Sequence, residues 1–184
     1  MSAPETYRNI YKQMYRNRLH TFIILLTFSW AGLVHSQAVT MNPNYEQAQR
    51  FMQAVAKILL REQLTHTLLD SCSASYAHLK SSAEQSRKKW HDMNRETLTR
   101  TKRVQKSVIQ NIHETQSPQN AEKFSRDIDD LILNSVAGFK QELENKSRKD
   151  RHYVCNRLIL SISAGDWDLS RQAPKAVKQI TDFK

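Results

Sequence analysis

The feature that most limits the fold of this chain is its scarcity of glycine, with three glycines among 184 residues. The three are spread along the chain, at Gly32, Gly138 and Gly165. Tight β-turns and phosphate-binding loops use positive φ angles, which glycine enters freely and other residues do not. The prolines after position 40 are equally few and lie where they would separate long helices, at Pro43, Pro118 and Pro174. The sequence therefore predicts an all-α fold.

Apolar residues recur at intervals of three and four in three long segments, which is the spacing of one helix face. The first helix is predicted to begin with Asn42 as N-cap and Pro43 at the first helical position. The stretch "LLDSCSAS" that follows either ends this helix, with Asp70 or Ser71 capping the next, or weakens one continuous helix. The second segment has a near-heptad spacing typical of a coiled coil and is predicted to run from about 72 to 115.

The third helix is predicted to begin at Ser117 and Pro118, which have the N-cap and first-turn chemistry of a helix start. Shorter elements should follow: "YVCNRLILSIS" as a helix ending at Gly165, "DWDLSRQAP" as a loop and "KAVKQITDF" as a terminal helix. The whole pattern predicts a long antiparallel helical hairpin that turns near residue 117, within a three- to four-helix bundle.

The N-terminal region has the layout of a secretory signal peptide. About fourteen apolar residues, 21–34, follow a basic stretch, and this run is shorter than the roughly 20 residues that cross a bilayer. Small residues place the predicted cleavage after Ser36 or Ala38, so 1–36 is interpreted as the signal peptide and 37–184 as a single helical domain. The alternative is an uncleaved membrane anchor at 21–34 with its basic end inside.

The two cysteines, Cys72 and Cys155, form an even pair in a chain predicted to enter an oxidising compartment, which favours a disulfide. In a hairpin of straight helices the two would miss each other by about 11 Å, at 1.5 Å per residue. A bridge therefore predicts irregular backbone between about 146 and 151. An intermolecular bridge and two free buried thiols are the alternatives, and the lack of CxxC spacing argues against a zinc site.

The predicted second helix carries most of the net positive charge of the mature chain. Between residues 79 and 107 nine cations face three acids, the cations being Lys80, Arg87, Lys88, Lys89, Arg95, Arg100, Lys102, Arg103 and Lys106. One interpretation is a solvated face partly neutralised by Asp127, Asp129 and Asp130 of the third helix. The other is a binding surface for an acidic protein, a glycan or a membrane surface, with Arg87, Lys88, Lys89, Arg95, Arg100, Lys102 and Arg103 as the candidates.

No arrangement typical of catalysis, cofactor binding or metal ligation stands out, because the histidines lack ligand spacing. Nucleic acid is disfavoured, since aromatic residues do not interleave the cations. Asn145 in "NKS" is a candidate glycosylation site. The sequence predicts a secreted or periplasmic, non-enzymatic helical protein that binds an unknown protein partner. The alternatives are a membrane-anchored helical protein, if 21–34 is retained, and a polyanion or membrane-surface binder acting through the basic helix at 80–106.

Overall fold

Helices account for all the regular structure in the part of the chain that the computed structural model describes, which is the backbone of residues 43–183 and the side chains of 47–183. The helices are α1 (Pro43–Ser75), α2 (Lys80–Thr115), α3 (Pro118–Glu144), α4 (Arg148–Ser163), α5 (Leu169–Gln172) and α6 (Pro174–Asp182), with a 3₁₀ turn at Ala77–Leu79. The prediction of an all-α fold is confirmed. The predicted signal peptide, its cleavage sites and the alternative anchor at 21–34 lie outside the described residues.

The first helix, α1, lies at the centre of the bundle and packs against α2, α3, α4 and α6. It can do so because its apolar residues cover more than one face: Ala54, Val55 and Ile58 are fully buried, as is Leu69 near its C-terminal end. A helix that is apolar on several sides has to be covered on several sides. The other helices therefore pack around α1.

The predicted hairpin of α2 and α3 is present and turns at Gln116 and Ser117. The Ser117 hydroxyl accepts a hydrogen bond from the Asn120 amide at 3.2 Å, and Pro118 occupies the first turn, as predicted. Apolar residues of the two helices join the core that also covers α1, with Trp90 of α2 completely buried. No helix among residues 43–183 is long and apolar enough to span a membrane.

The predicted break between the first two helices is displaced along the chain. The expectation that the second helix starts near Cys72 is wrong, because α1 continues to Ser75 and the chain leaves helical geometry at Tyr76, with φ −141° and ψ 96°. Leu69 and Cys72 are fully buried and extend the apolar face of α1. Tertiary packing thus outweighs the weak helix propensity of the surrounding serines.

The C-terminal segment, residues 148–183, runs beside α2 and consists of three successive helices, α4, α5 and α6. Helix α4 ends in a Schellman motif, in which Gly165 has φ 81° and its amide and that of Asp166 bond back to the carbonyls of Ile162 and Ser161. The predicted helix end at Gly165 is therefore correct. The predicted loop after it contains the short helix α5, which Asp168 caps by accepting a hydrogen bond from the Ser170 amide at 2.7 Å.

Candidate functional site

The two cysteines lie at disulfide distance, with sulfur atoms 2.06 Å and Cα atoms 5.5 Å apart. This geometry agrees with the predicted pairing of Cys72 with Cys155, which joins the C-terminal end of α1 to the second turn of α4. The helix is interrupted between α3 and α4, at residues 145–147. The prediction of irregular backbone over 146–151 is correct in kind but too long, because the Ser147 hydroxyl caps α4 and helical geometry resumes at Arg148.

Two of the predicted anion-binding cations are used inside the molecule. Arg100 donates hydrogen bonds to three carbonyl oxygens at the C-terminal end of α6, those of Ile180 (2.9 Å), Thr181 (2.5 Å) and Phe183 (3.2 Å). Lys89 donates to the carbonyl oxygen of Ser163 at the end of α4. A cation at a helix C-terminus also meets the negative end of the helix dipole. Both side chains therefore hold the C-terminal segment against α2.

Neutral side chains of α2 extend this set of contacts. Trp90 donates from Nε1 to the Trp167 carbonyl oxygen at 2.8 Å, and the buried Asn94 accepts from the Leu169 amide at 2.8 Å. Ser86 bonds to the Ile159 carbonyl at 3.3 Å. The bonds to Trp167 and Leu169 partner backbone groups at the interruption between α4 and α5, where helical hydrogen bonds are missing, and the bond to Ile159 joins α2 to α4. Many polar side chains of α2 thus hold the C-terminal segment in place.

Three further candidates form ion pairs. Arg87 pairs with Asp70 of α1, Arg95 with Asp92 one turn away at 2.5 Å, and Lys102 with Glu62 of α1 at 3.2 Å. Glu62 is largely buried, with 10% of its side chain exposed, so that Lys102 supplies the charge that a buried carboxylate needs. The Arg95 pair is exposed and adds little stability.

The cations that remain lie on the outer face of α2. Lys80, Lys88, Arg103 and Lys106 are exposed, and no hydrogen bond or ion pair joins them to any residue in the described part of the chain. The predicted neutralisation by α3 is not seen here, since Asp127 pairs with Lys123 on its own helix at 2.7 Å. Lys88 and Lys106 are eighteen residues apart, which is five helical turns, or about 27 Å, on one side of the helix.

Near Lys106 the outer face of α2 is slightly concave and mixed in character. An open groove there is lined by Lys102, Gln105, Lys106, Ile109, Gln110 and His113. It is open to solvent, whereas a small-molecule pocket is normally enclosed on most sides.

A second polar cluster lies beside the disulfide and was not foreseen from the sequence. His78 of the 3₁₀ turn and His152 of α4 bring their Nε2 atoms within 3.0 Å of each other. The ring of Tyr76 packs against His152 with centroids 4.9 Å apart, and its hydroxyl donates to the Arg148 carbonyl at 2.7 Å. The histidines are 74 residues apart in sequence, but each is close in sequence to one of the paired cysteines. The predicted disulfide was therefore the one signal that could have brought them together.

His66 is a third polar group of note, packed at the edge of the core. Its ring meets that of Trp90 edge-on with centroids 6.0 Å apart, and its Nε2 has no hydrogen-bond partner among the described residues. Burial lowers the pKa of His66 below its usual 6.5, and the positive charge of Arg87 lowers it further. The neutral form of the side chain is thus favoured in the folded protein.

The candidate glycosylation residue Asn145 is exposed at the end of α3, and its modification stays a prediction. Within residues 43–183 no group of three or more histidine, cysteine, aspartate or glutamate side chains is placed to hold a metal ion. Comparisons with family models, with curated proteins and with solved structures find no match.

Proposed function

We propose that this chain is an exported, non-enzymatic helical protein that binds an acidic surface of a protein partner through the outer face of α2. The proposal rests on the observation that some α2 cations have partners within the molecule and others do not. Arg87, Lys89, Arg95, Arg100 and Lys102 have partners within the molecule, whereas Lys80, Lys88, Arg103 and Lys106 have none among the described residues. Exposed charges of one sign that a fold does not use attract a partner of the opposite sign.

Export is supported by two features of different kind. The pair Cys72–Cys155 at disulfide distance is typical of proteins that fold in an oxidising compartment. The basic and then apolar N-terminal sequence has the order of a signal peptide. Mass spectrometry of the native protein tests this part: a mature N-terminus at residue 37 or 39 supports export with cleavage, and an intact N-terminus supports the anchored alternative.

The binding surface is tested with a charge-reversal pair and a matched control. Lys88→Glu with Lys106→Glu removes two unpartnered cations of α2, while Lys57→Glu with Lys175→Glu makes the same change in net charge at exposed sites on α1 and α6. Each protein is used to capture partners from its own extracytoplasmic fluid. We expect the α2 pair to lose a captured protein that the wild type and the control retain. Equal capture by all three would exclude this face.

A heparin column tests the polyanion alternative, which the same four unpartnered cations also support. If the ligand is a sulfated glycan, the α2 pair should elute at clearly lower salt than the control pair, because each lost ionic contact reduces the salt dependence of binding by roughly one counterion. Equal elution of both pairs, together with selective loss of a captured protein, favours the protein partner.

A further inference from the structure

We propose that His78 and His152 form a binding site for a divalent transition-metal ion, with zinc as the ion whose coordination geometry fits best. The two Nε2 atoms are 3.0 Å apart and come from different elements, the 3₁₀ turn and α4. Imidazole nitrogen is a preferred ligand of zinc and of the neighbouring late transition metals. The proposal rests neither on export nor on the partner proposed above.

The spacing of the two rings is what favours zinc. Zinc bound at about 2.05 Å by two imidazoles at a tetrahedral angle places their ring centres about 5.2 Å apart, if each centre lies about 1.15 Å behind its nitrogen. The centroids of His78 and His152 are 5.2 Å apart. The ring centres can therefore stay where they are when zinc binds. A tilt of the rings is enough to widen the distance between the two Nε2 atoms from 3.0 Å to about 3.3 Å. The right-angled arrangement of a tetragonal copper site would require the ring centres to approach to about 4.5 Å.

The present contact already orients the two nitrogens toward each other. A neutral imidazole has one N–H and one lone pair, so that at 3.0 Å one Nε2 donates and the other accepts. When a metal ion binds, the donating ring moves its proton to Nδ1, and both Nε2 lone pairs then face the ion. The exchange involves a change of tautomer with no net loss of a proton from the two neutral rings.

The surroundings hold the pair in place while leaving it accessible. His78 is exposed and His152 is half-buried. The Tyr76 ring packs on His152, and the Asn156 Nδ2 donates to the His152 carbonyl oxygen at 3.1 Å. The same Nδ2 lies 3.1 Å from the His152 Nε2 atom and has to turn away from its lone pair when a metal ion binds there. Cys155 follows His152 by one helical turn, so that the disulfide fixes the distance between the two backbones. The site is thus partly preorganised, and the remaining coordination positions are left to water or to a donor atom of a partner.

The test is titration of the metal-free, disulfide-bonded protein with zinc chloride alone, followed by calorimetry. We expect one zinc ion per chain for the wild type. In His78→Gln or His152→Gln the affinity should fall by at least about tenfold, since the loss of a direct ligand costs more than the loss of an outer-shell partner. The controls His91→Gln and His113→Gln replace exposed histidines of α2 and should bind as the wild type does.

A measurement on the unsubstituted protein covers the case in which a variant fails to fold. Zinc should shift the imidazole proton resonances of His78 and His152 in the NMR spectrum and leave those of His91 and His113 in place. Replacement of both Cys72 and Cys155 by serine should weaken zinc binding, because it frees the two backbones to separate and supplies no thiolate ligand. Absence of zinc binding, or equal effects of all four histidine substitutions, would overturn the proposal.

Discussion

Asn94 on α2 holds the start of α5 in place: its Oδ1 accepts a 2.8 Å hydrogen bond from the Leu169 amide, and its Nδ2 donates at 2.8 Å to the Trp90 carbonyl. Asn94 is 2% exposed and Leu169 is completely buried, so that no water replaces either contact without a rearrangement. One side chain thereby connects two helices through backbone groups. Among the described residues of α2, Asn94 has the most deeply buried side-chain amide, and this amide faces the C-terminal segment.

Replacement of Asn94 by alanine should therefore destabilise the fold by about 1–3 kcal/mol, the cost of leaving a buried donor unsatisfied. Urea unfolding followed by circular dichroism measures the change. Asn111→Ala is the matched control, since Asn111 is exposed on the same helix and should change the free energy of unfolding by less than about 0.5 kcal/mol. Equal effects of the two substitutions would contradict the role assigned to Asn94.

The two described glycines should respond to alanine with opposite signs. Gly165 has φ 81°, so Gly165→Ala forces a side chain into left-handed geometry and should cost about 1 kcal/mol, although the added Cβ would meet only the Met93 sulfur at 3.9 Å. Gly138 lies within α3 with nothing within 4 Å of an added Cβ. Gly138→Ala should therefore stabilise by about 0.5–1 kcal/mol. Thermal unfolding of both variants gives the signs directly.

Loss of the Arg100 guanidinium should loosen the end of the bundle at which α6 terminates. Arg100→Ala removes three hydrogen bonds to carbonyls of residues 180–183 and is expected to cost about 1–2 kcal/mol, because the donor is charged but partly exposed. Hydrogen exchange of the α6 amides should accelerate while that of the α1 amides near the disulfide does not. Arg95→Ala, which removes an exposed pair with Asp92, should leave α6 exchange unchanged.

His66 should make stability depend on pH in a defined direction. Because its pKa in the folded protein is lowered below 6.5, the unfolded chain takes up a proton under conditions where the folded protein does not. The stability that neutral His66 provides is complete above about pH 6.5 and is lost as the pH falls from there through the lowered pKa. His66→Gln should flatten this part of the curve of unfolding free energy against pH. An unchanged slope in His66→Gln would contradict the role assigned to this side chain.

Local sequence and simple counting were enough to predict the hairpin, the helix ends at Ser117 and Gly165, and the cysteine pairing. The burial of Asn94 in α2 could not be predicted in this way. Asn94 is buried for its hydrogen bonds, and hydrophobic periodicity does not register a polar residue. The histidine pair was missed for another reason, since its members meet only through tertiary structure.

The same limit applies to the basic helix. Its charge could be counted from the sequence, but which cations remain available depends on neighbours far along the chain. Arg100 finds its acceptors eighty residues later, at Ile180, and Lys102 finds Glu62 forty residues earlier. Of the sequence candidates, only Lys88 and Arg103 keep no partner among the described residues, and Lys80 and Lys106 of the same helix join them.

The bond between Cys72 and Cys155 closes a covalent ring that contains the whole of α2 and α3. A protease that cuts at the turn near residue 117 or at the interruption near 146 would therefore nick the chain without releasing a fragment. Such a nicked molecule should keep its full mass on a non-reducing gel and separate into two pieces once a thiol is added. One covalent link of this kind keeps the two parts of the chain joined after a cut in either exposed turn.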